Sequence, residues 1–542
     1  MLLLFTFMVS LSVTVVVIPP LMRLAPRLGL VDLPDARKVH SQIIPRCGGI
    51  GLAIGAIVPL VAWGEMDFFL SGYLAGALII LAFGIWDDIV TLNYRWKFAG
   101  QFLAVGVVMA SGVVLEHLPL IGDDPAPPWL SHTVTFFLLL GVTNAVNLFD
   151  GLDGLAGGCG VMSLAALVLL GLNDPAGTVP MIAVAMIGGI LGFLRYNSWP
   201  AVVFMGDAGS QLLGFTAAVL AIRLVEHANI VLSPSVVALL LGLPIMDTLQ
   251  VMSQRLREGR SPFSPDKNHI HHKFLALSFH HYEAVSVVYI VQAILVVSAF
   301  MLRYEHDLLI LGLYAAISAA VIGGLAYGRA KGWRLRPNPP AGTFVERRNK
   351  LLRRFDWLPD LCVAILTGGL SLFLGWGAFL PEQGLADLAT PLLSIAAAAA
   401  AAQLLGPNPR RIVTRGCAYV AIGLNAYLLG GLAPHGSSLS IALWAYVVVV
   451  VPVLVLGIRV TRRALFRVTP QDLLVVLMAA TVPYLPADLI VRRDLGQMVV
   501  VVAVHFYVVE LLLQRDPAGS RRVGIPTCIA LGLGGLRGLL GI

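Results

Sequence analysis

The chain has 542 residues, of which 58% are hydrophobic and only 12% charged, and its formal net charge is +7. Soluble globular proteins carry about 25% charged residues, so this chain has too little polar surface to be one large soluble enzyme. The positive charge is typical of basic loops on one side of a membrane, and we expect no nucleic-acid partner. The five cysteines are scattered without paired spacing, which indicates neither a disulfide framework nor a zinc site.

Apolar runs of about 20 residues, the length that crosses a bilayer, recur along the whole sequence. The predicted fold class is an all-α polytopic membrane protein, with a core of about eleven helices and about six further transmembrane helices. The first segment lacks a basic start and a small-residue cleavage site, so it is predicted to be a retained span. The core spans are predicted at about residues 1–22, 47–63, 69–86, 98–115, 131–147, 155–172, 177–194, 209–225, 229–250, 284–302 and 307–328.

A polar, basic stretch at 328–354 interrupts this pattern. We predict a membrane domain at 1–330, a basic cytoplasmic linker at 331–357 and an accessory transmembrane region of unknown role at 358–542. The accessory region shows no motif and almost no charge within its spans, and its Gly-rich end is expected to lie at the membrane interface. Its spans are predicted near 361–380, 388–405, 417–433, 439–458, 471–485 and 496–514.

Loops with basic residues alternate with short acidic or neutral loops along the membrane domain. Because basic loops face the cytoplasm, the N-terminus is predicted to lie outside. The basic set contains Arg23, Arg27, Arg37, Lys38 and Arg46, then Arg95 and Lys97, then Arg255, Arg257, Arg260, Lys267 and Lys273.

Five polar clusters lie in or beside these basic loops, where ionisable groups at membrane depth are costly unless they are paired or hydrated. The first is VDLPDARKVHSQIIPRCGG at 31–49. Its Lys38 and Arg46 offer positive charge to an anionic substrate; the alternative is a basic loop that only sets the topology.

The second cluster is GIWDDIVTLNYRWK at 84–97. Asp87 and Asp88 end a hydrophobic helix at its C-terminus, where the helix macrodipole disfavours anions. They therefore need a cation or a bound metal beside them, unless this is a solvated helix end. Lys97 can supply charge for a phosphate.

The third cluster, NAVNLFDGLDGLAGG at 144–158, places Asn147, Asp150 and Asp153 three residues apart. If the segment is helical, the three side chains share roughly one face. Carboxylate and amide oxygens are the ligands of hard cations such as Mg²⁺. The alternative is a plain polar loop.

The fourth cluster, FMGDAGSQLLG at 204–214, precedes a new hydrophobic helix. Asp207 either caps that helix or completes a metal site with the third cluster. Phe204 either stacks on a flat base or packs in the core.

The fifth cluster spans 244–274 and contains Arg255, His269, His271 and His272. Three histidines suggest zinc, but the neighbouring basic residues would repel a dication. Cations and imidazoles together suit a diphosphate better, because they neutralise it with directional donors. The five clusters together predict a Mg²⁺-diphosphate site on the cytoplasmic face.

The order and wording of the clusters resemble the polyprenyl-phosphate N-acetylhexosamine-1-phosphate transferases, the MraY/WecA/TagO group. The resemblance covers about residues 1–330, including the eleven-span topology with the N-terminus outside. HIHH preceded by SPFSPDKN looks like the WecA/TagO branch. The shared motifs are D-x-P-x-x-R-K-x-H…P-R-x-G-G, G-x-x-D-D, N-x-x-N-L-x-D-G-x-D-G-L, F-M-G-D-x-G-S and S-P-F-x-P-D-x-x-H-I-H-H.

This resemblance implies a Mg²⁺-dependent enzyme, with Mn²⁺ as an alternative cofactor, of the bacterial cytoplasmic (inner) membrane. It would transfer N-acetylglucosamine-1-phosphate, or a related N-acetylhexosamine-1-phosphate, from the UDP-N-acetylhexosamine to undecaprenyl phosphate or a similar polyprenyl phosphate lipid. The reaction would release UMP and initiate cell-surface polysaccharide synthesis. A homodimer is left open, as is the choice between single and double displacement.

Carried over position by position, the resemblance implies Asn147 and Asp207 as metal ligands. Asp87 and Asp88 would act as a base or position the lipid phosphate. The implied substrate-binding residues are Lys38, Arg46, Lys97, Asp150, Asp153, Phe204, Arg255, His269, His271 and His272.

Two other classes match parts of the pattern. A transporter or flippase for lipid-linked sugars would use intramembrane carboxylates as coupling-ion sites, but here the acids cluster at one face and no repeat relates the two halves. A CDP-alcohol phosphatidyltransferase needs Ala-Arg after its D-G, which residues 150–158 lack.

Overall fold

The computed structural model describes residues 2–33, 43–122, 124–172, 174–261, 268–334, 357–379, 385–432, 437–460, 495–515 and 521–540. Within these ranges the regular structure is helical except for one short antiparallel pairing of Val31–Asp32 (β1) with Ile44–Pro45 (β2). Ten of the described helices are long and apolar enough to cross a membrane. The predicted all-α polytopic membrane fold is therefore confirmed.

The chain divides into two compact units. The larger unit comprises Val9–Pro337 with Thr469–Leu474, and the smaller unit comprises Met1–Met8, Asn338–Val468 and Val475–Ile542. Most of the predicted basic linker, residues 335–356, lies outside the described residues.

Thirteen α-helices run along the chain as far as residue 330 within the described ranges. They are α1 (Leu2–Leu28), α2 (Gly48–Trp63), α3 (Phe68–Val90), α4 (Tyr94–Ala110), α5 (Pro128–Phe149), α6 (Leu155–Leu170), α7 (Thr178–Asn197), α8 (Gly206–Arg223), α9 (Val236–Leu240), α10 (Gly242–Arg257), α11 (Ile270–Ala276), α12 (His281–Met301) and α13 (Asp307–Ala330).

The ninth predicted span, 229–250, is wrong as a single helix, because α9 and α10 are separated by a break at Leu241. Pro244 has no backbone N–H, so it cannot continue the helical hydrogen bond to the carbonyl of Leu240. That carbonyl instead accepts from the Ser163 hydroxyl at 2.7 Å and from Gln292 Nε2 at 3.2 Å. Side chains from α6 and α12 thus satisfy the polar group that the break exposes.

Helix α8 is the centre of the larger unit, since 94% of the most apolar 18-residue stretch within Gly206–Ala228 is buried. It packs against α2, α3 and α5. Small residues allow this approach, because a Cβ on Gly49 would collide with Gly209 and a Cβ on Gly84 would collide with Ala208. The first turn of α8 is therefore held directly between α2 and α3.

In the smaller unit six further helices are described. The predicted span 471–485 lies outside the described residues. The Gly-rich end forms a helix of 20 residues that is long and apolar enough to span a membrane. The six helices are α14 (Leu358–Phe379), α15 (Leu385–Gln403), α16 (Pro407–Leu432), α17 (Ser438–Val460), α18 (Leu495–Arg515) and α19 (Arg521–Leu540).

The smaller unit contains a buried ion pair, contrary to the expectation of almost no charge within its spans. Arg415 Nε lies 2.7 Å from Glu510 Oε1, and the Tyr419 hydroxyl donates to the same oxygen at 2.7 Å. Helix α16 begins ten residues before the predicted span at 417, so Arg415 lies inside the helix and not in the turn before it. Pairing reduces the cost of burying both charges.

Candidate active site

A cavity of about 660 Å³ opens in the larger unit at the ends of α3, α5 and α7 and the beginning of α8. All five predicted clusters contribute to its wall. The sequence-predicted residues that line it are Arg46, Asp88, Asn147, Asp150, Asp153, Phe204, Asp207 and His272. We call this space the catalytic cavity, for the role that its lining residues are predicted to have.

Asp88 lies in the last turn of α3 and holds the beginning of α8. Its two carboxylate oxygens accept the backbone N–H groups of Asp207 at 3.0 Å and of Ala208 at 3.1 Å. Gly206 makes this approach possible, because it has φ +71° and its missing Cβ would lie 2.5 Å from Asp88 Oδ2. The N-terminus of α8 thus supplies the positive dipole end that compensates a carboxylate at the C-terminus of α3.

Asp207 lies within the first turn of α8 and is not its N-cap, which is Met205. Lys97 Nζ, at the beginning of α4, lies 2.5 Å from Asp87 Oδ2 and 3.1 Å from Asp207 Oδ2. Asp87 also accepts the backbone N–H of Leu92 at 2.6 Å. One ammonium group therefore joins a carboxylate of the second cluster to a carboxylate of the fourth, although Lys97 and Asp207 are 110 residues apart in the sequence.

Arg46 contributes the second cation of the site. It forms an ion pair with Asp32, and its Nη1 lies 3.9 Å from Asp88 Oδ1. The antiparallel pairing of β1 with β2 brings these residues together, since Asp32 is paired with Ile44. Lys38, the other predicted cation of this cluster, lies outside the described residues.

The third cluster is not one helix, so the expectation of a shared helical face is wrong. Helix α5 ends at Phe149 and α6 begins at Leu155, after Gly154 in a left-handed conformation. Asn147 remains on α5, where its amide nitrogen donates at 2.8 Å to Ser210 Oγ, on the first turn of α8 that also carries Asp207. The glycines interrupt the helix because they favour turn conformations.

The turn after α5 carries the two remaining acids of that cluster. Asp153 accepts the backbone N–H of Ala201 at 2.9 Å, which ties the turn to the segment before α8. Burial raises the pKa of Asp150 to about 7, and the carboxylates of Asp207, Asp153 and Asp88 add to that rise. Asp150 is therefore partly protonated near neutral pH unless a cation binds beside it.

The histidines of the fifth cluster occupy three different positions. His272 lines the catalytic cavity. The ring of His271 lies against Gly151, and burial lowers its pKa well below the ordinary value. His269 Nδ1 lies 2.8 Å from Asp247 Oδ2 and does not line the cavity, nor does Arg255, which is buried on α10.

Asp247 is a functional candidate that was missed in the sequence. It is 1% exposed, and it also accepts the backbone N–H of Ile270 at 2.8 Å, at the beginning of α11. It thereby fixes both the His269 ring and the helix that carries the other two histidines. The signal was present, because an acid within an apolar helix is a functional candidate by default.

Other missed residues line the catalytic cavity around Asp153. The backbone N–H of Asp153 donates to His281 Nε2 at 2.9 Å, and the ring of Trp199 lies 6.3 Å from the His281 ring. Asn197 accepts the backbone N–H of Gly154 at 2.8 Å. These aromatic and amide groups lie outside the five clusters, although Trp199 and Asn197 stand just before the fourth.

The donor set around Asp207 fits a hard cation held together with a substrate. No three His, Cys, Asp or Glu side chains of the described residues converge as a complete metal site. Mg²⁺ does not need such a cage, since it is usually bound by one or two carboxylates, waters and substrate phosphates. Asp207 and Asn147, which both line this cavity, offer the oxygens that this arrangement requires.

Comparison with known proteins identifies relatives of this chain. The sequence profile of Glycosyl transferase family 4 matches residues 70–225. The probable undecaprenyl-phosphate N-acetylglucosaminyl 1-phosphate transferase of Bacillus subtilis is 33% identical over 300 residues, which is 55% of this chain and 84% of that protein. The decaprenyl-phosphate N-acetylglucosaminephosphotransferase of Mycolicibacterium smegmatis is 36% identical over 49% of this chain and 74% of its own length. The undecaprenyl-phosphate alpha-N-acetylglucosaminyl 1-phosphate transferase of Escherichia coli is 32% identical over 52% of this chain and 79% of its own length.

Proposed function

Because this chain belongs to glycosyl transferase family 4, together with the polyprenyl-phosphate N-acetylglucosamine-1-phosphate transferases that it matches, we propose that it catalyses their type of reaction. It transfers N-acetylglucosamine-1-phosphate from UDP-N-acetylglucosamine to undecaprenyl phosphate or a similar polyprenyl phosphate. The products are the lipid-diphospho-sugar and UMP, and the lipid product initiates a cell-surface polysaccharide. The family predicted from the five motifs is confirmed, and the transporter alternative finds no support among these relatives.

The observation that carries this proposal is the joining of Asp87, Lys97 and Asp207 at the beginning of α8, beside Asp88 and Asn147. Phosphoryl transfer requires little covalent help from a protein, and its catalysis is mostly positioning and charge neutralisation. A cluster of oxygens and cations held by two helix ends provides both.

In this proposal Asp207 and Asn147 hold Mg²⁺, with Mn²⁺ as the alternative. The cation neutralises the diphosphate of the nucleotide sugar when it is bound. Asp150 and Asp153 face the nucleotide sugar and Phe204 faces the uracil, since all three line the catalytic cavity.

Hydrogen-bond donors at the cavity bind the phosphates. Arg46 and His272 line the cavity directly, and a guanidinium binds phosphate oxygens in a bidentate manner. Lys97 does not line the cavity, but its ammonium group donates to Asp207 at 3.1 Å. We therefore assign it to neutralising the acids before the substrates bind.

Asp88 acts by positioning in this proposal, and not as a base. Both of its oxygens already accept backbone N–H groups of α8. A phosphate monoester has its second pKa at about 6, so the phosphate of the acceptor lipid is largely deprotonated at neutral pH. A base that removed its proton would therefore accelerate the reaction little. Asp87, held by Lys97 and Leu92, is assigned the same kind of role.

We further propose that the protein lies in a bacterial cytoplasmic membrane, with its N-terminus outside and the catalytic cavity on the cytoplasmic face, where nucleotide sugars are available. The alternation of basic loops supports this orientation. Homodimer formation stays a prediction.

Release of UMP from UDP-N-acetylglucosamine by the purified full-length protein tests the proposal. We expect UMP only when both a polyprenyl phosphate and Mg²⁺ are present, and we expect Asp207→Ala to abolish it. The matched control is Asp67→Ala, because Asp67 caps the opposite end of α3 and does not line the cavity. UMP formation that requires no lipid phosphate, or full activity of Asp207→Ala, would contradict the proposal; a panel of UDP-sugars identifies the donor.

A further inference from the structure

A second large groove lies between α10 and α13 of the larger unit. It has a volume of about 690 Å³, and it shares no lining residue with the catalytic cavity. We call it the α10–α13 groove. It is lined by Met246, Leu249, Gln250, Ser253, Gln254, Arg257, Lys273, Tyr314, Ala315, Ser318, Ile322, Ala326 and Arg329.

Three cations line this groove, each contributed by the last turn of a different helix. Arg257 lies in the last turn of α10, Lys273 in that of α11 and Arg329 in that of α13. Lys273 directly follows His272, which lines the catalytic cavity. The basic end of the groove therefore lies on the same membrane face as that cavity, and it offers two guanidinium groups and one ammonium group to a phosphate.

The rest of the groove has the length of one membrane leaflet. From Met246 to Arg257 the lining of α10 covers roughly 17 Å, at 1.5 Å per residue, and half of a bilayer's hydrocarbon core is about 15 Å. Only 11% of the most apolar 18-residue stretch of α13 is buried. The wall that it contributes is partly made of small, exposed side chains, Ala315 and Ala326, which leave room for an alkyl chain.

We propose that the α10–α13 groove binds one anionic glycerophospholipid. Its phosphodiester lies at Arg257, Lys273 and Arg329, and one acyl chain follows the apolar wall between α10 and α13. A polyprenyl chain is a poorer match, because the groove accommodates only about one leaflet's depth of hydrocarbon. The acceptor's phosphate must also enter the catalytic cavity, whose wall is separate.

Lipid binding to the delipidated full-length protein, measured by native mass spectrometry, tests this proposal. We expect one bound phosphatidylglycerol, with phosphatidylcholine of the same acyl chains binding at least tenfold more weakly. Each basic residue near an anionic lipid contributes a factor of about five, so Arg257→Gln combined with Arg329→Gln should weaken phosphatidylglycerol binding roughly 30-fold. The matched control combines Arg95→Gln with Arg260→Gln, which removes two cations outside the groove and should leave binding unchanged.

A second variant tests the binding site of the lipid's acyl chain without altering charge. Ala326→Trp should fill the apolar wall and abolish binding, whereas Ala320→Trp, also exposed on α13 but outside the lining, should not. Equal binding of the two phospholipids, unchanged binding in both groove variants, or stoichiometric displacement of phosphatidylglycerol by polyprenyl phosphate would overturn the proposal. Because binding is measured without turnover, the result does not depend on the proposed transferase activity.

Discussion

Replacing Gly206 by alanine tests whether Asp88 positions the first turn of α8. Gly206 has φ +71°, and an added Cβ would lie 2.5 Å from Asp88 Oδ2 and 2.9 Å from its Cγ. The carboxylate must move away, which weakens the hydrogen bonds from the backbone N–H groups of Asp207 and Ala208. A hydrogen bond to a charged group contributes about 1.5–3 kcal/mol, and a left-handed backbone costs a non-glycine residue about 1–2 kcal/mol.

Together these terms predict a loss of about 3–5 kcal/mol in the free energy of unfolding. This is less than the full sum of the terms, because the displaced carboxylate can keep part of its contact. The effect on turnover should be larger than on substrate binding, since Asp207 is carried by the displaced turn. A misplacement of about 1 Å in a catalytic group can cost on the order of 100-fold in rate. Initial rates of UMP release and thermal unfolding measure the two effects.

Gly177→Ala is the matched control for this prediction. Gly177 also has a left-handed φ, +63°, and also precedes a helix, but an added Cβ there meets nothing within 4 Å. It should cost only the backbone term, about 1–2 kcal/mol, and leave turnover near that of the wild type. If the two variants lose the same stability and the same turnover, Asp88 does not position α8 and the reasoning is refuted.

Three further predictions concern the surrounding charges. Lys97→Met should lower turnover at least tenfold and reduce thermal stability, because Asp87 and Asp207 lose the ammonium group they share. Asp247→Asn should lower kcat about tenfold with little change in KM, because loss of one charge-assisted hydrogen bond to His269 or Ile270 costs about 1.4 kcal/mol. Without divalent cations, stability should fall as pH rises from about 4 to 7, because Asp150 is protonated in the folded protein up to about pH 7 and in the unfolded chain only up to about 4; Asp150→Asn should flatten this dependence.

Each of these has a clear contrary result. Wild-type turnover in Lys97→Met would show that the acids need no shared cation. An Asp247→Asn effect confined to KM would place His269 in substrate binding alone. A pH profile of unfolding that is identical in wild type and Asp150→Asn would show that another group carries the dependence.

The sequence was sufficient to predict the class of fold and eight of the residues that line the cavity, for two physical reasons. Membrane spans need long apolar runs, and these are visible without a structure. Placing acids and amides near a membrane face costs free energy unless they are paired or hydrated, so Asn147, Asp150 and Asp207 could be recognised as functional candidates from the sequence. The roles assigned to them remain predictions.

What could not be predicted depended on contacts between distant segments. The partner of Asp88 is the backbone of Asp207, 119 residues away, and a backbone N–H leaves no mark in the sequence. The break before α10 depends on Ser163 and Gln292, which donate hydrogen bonds to the Leu240 carbonyl in place of the N–H that Pro244 lacks. Without those side chains the apolar pattern at 229–250 is that of an uninterrupted span.

The charges at the beginning of α8 also bear on the order in which ligands bind. Within the part of the chain that the structure describes, two cations pair with the carboxylates of Asp87, Asp88 and Asp207, and one of these cations, Arg46, is shared with Asp32. Asp150 adds a fourth carboxylate. Such a site repels a free diphosphate, whereas it attracts a divalent cation. Protonation of Asp150 relieves part of the excess when no cation is present, as its pKa of about 7 indicates. We therefore expect the nucleotide sugar to bind as its Mg²⁺ complex or after Mg²⁺, and its affinity in the absence of the metal to be weaker at pH 8 than at pH 6.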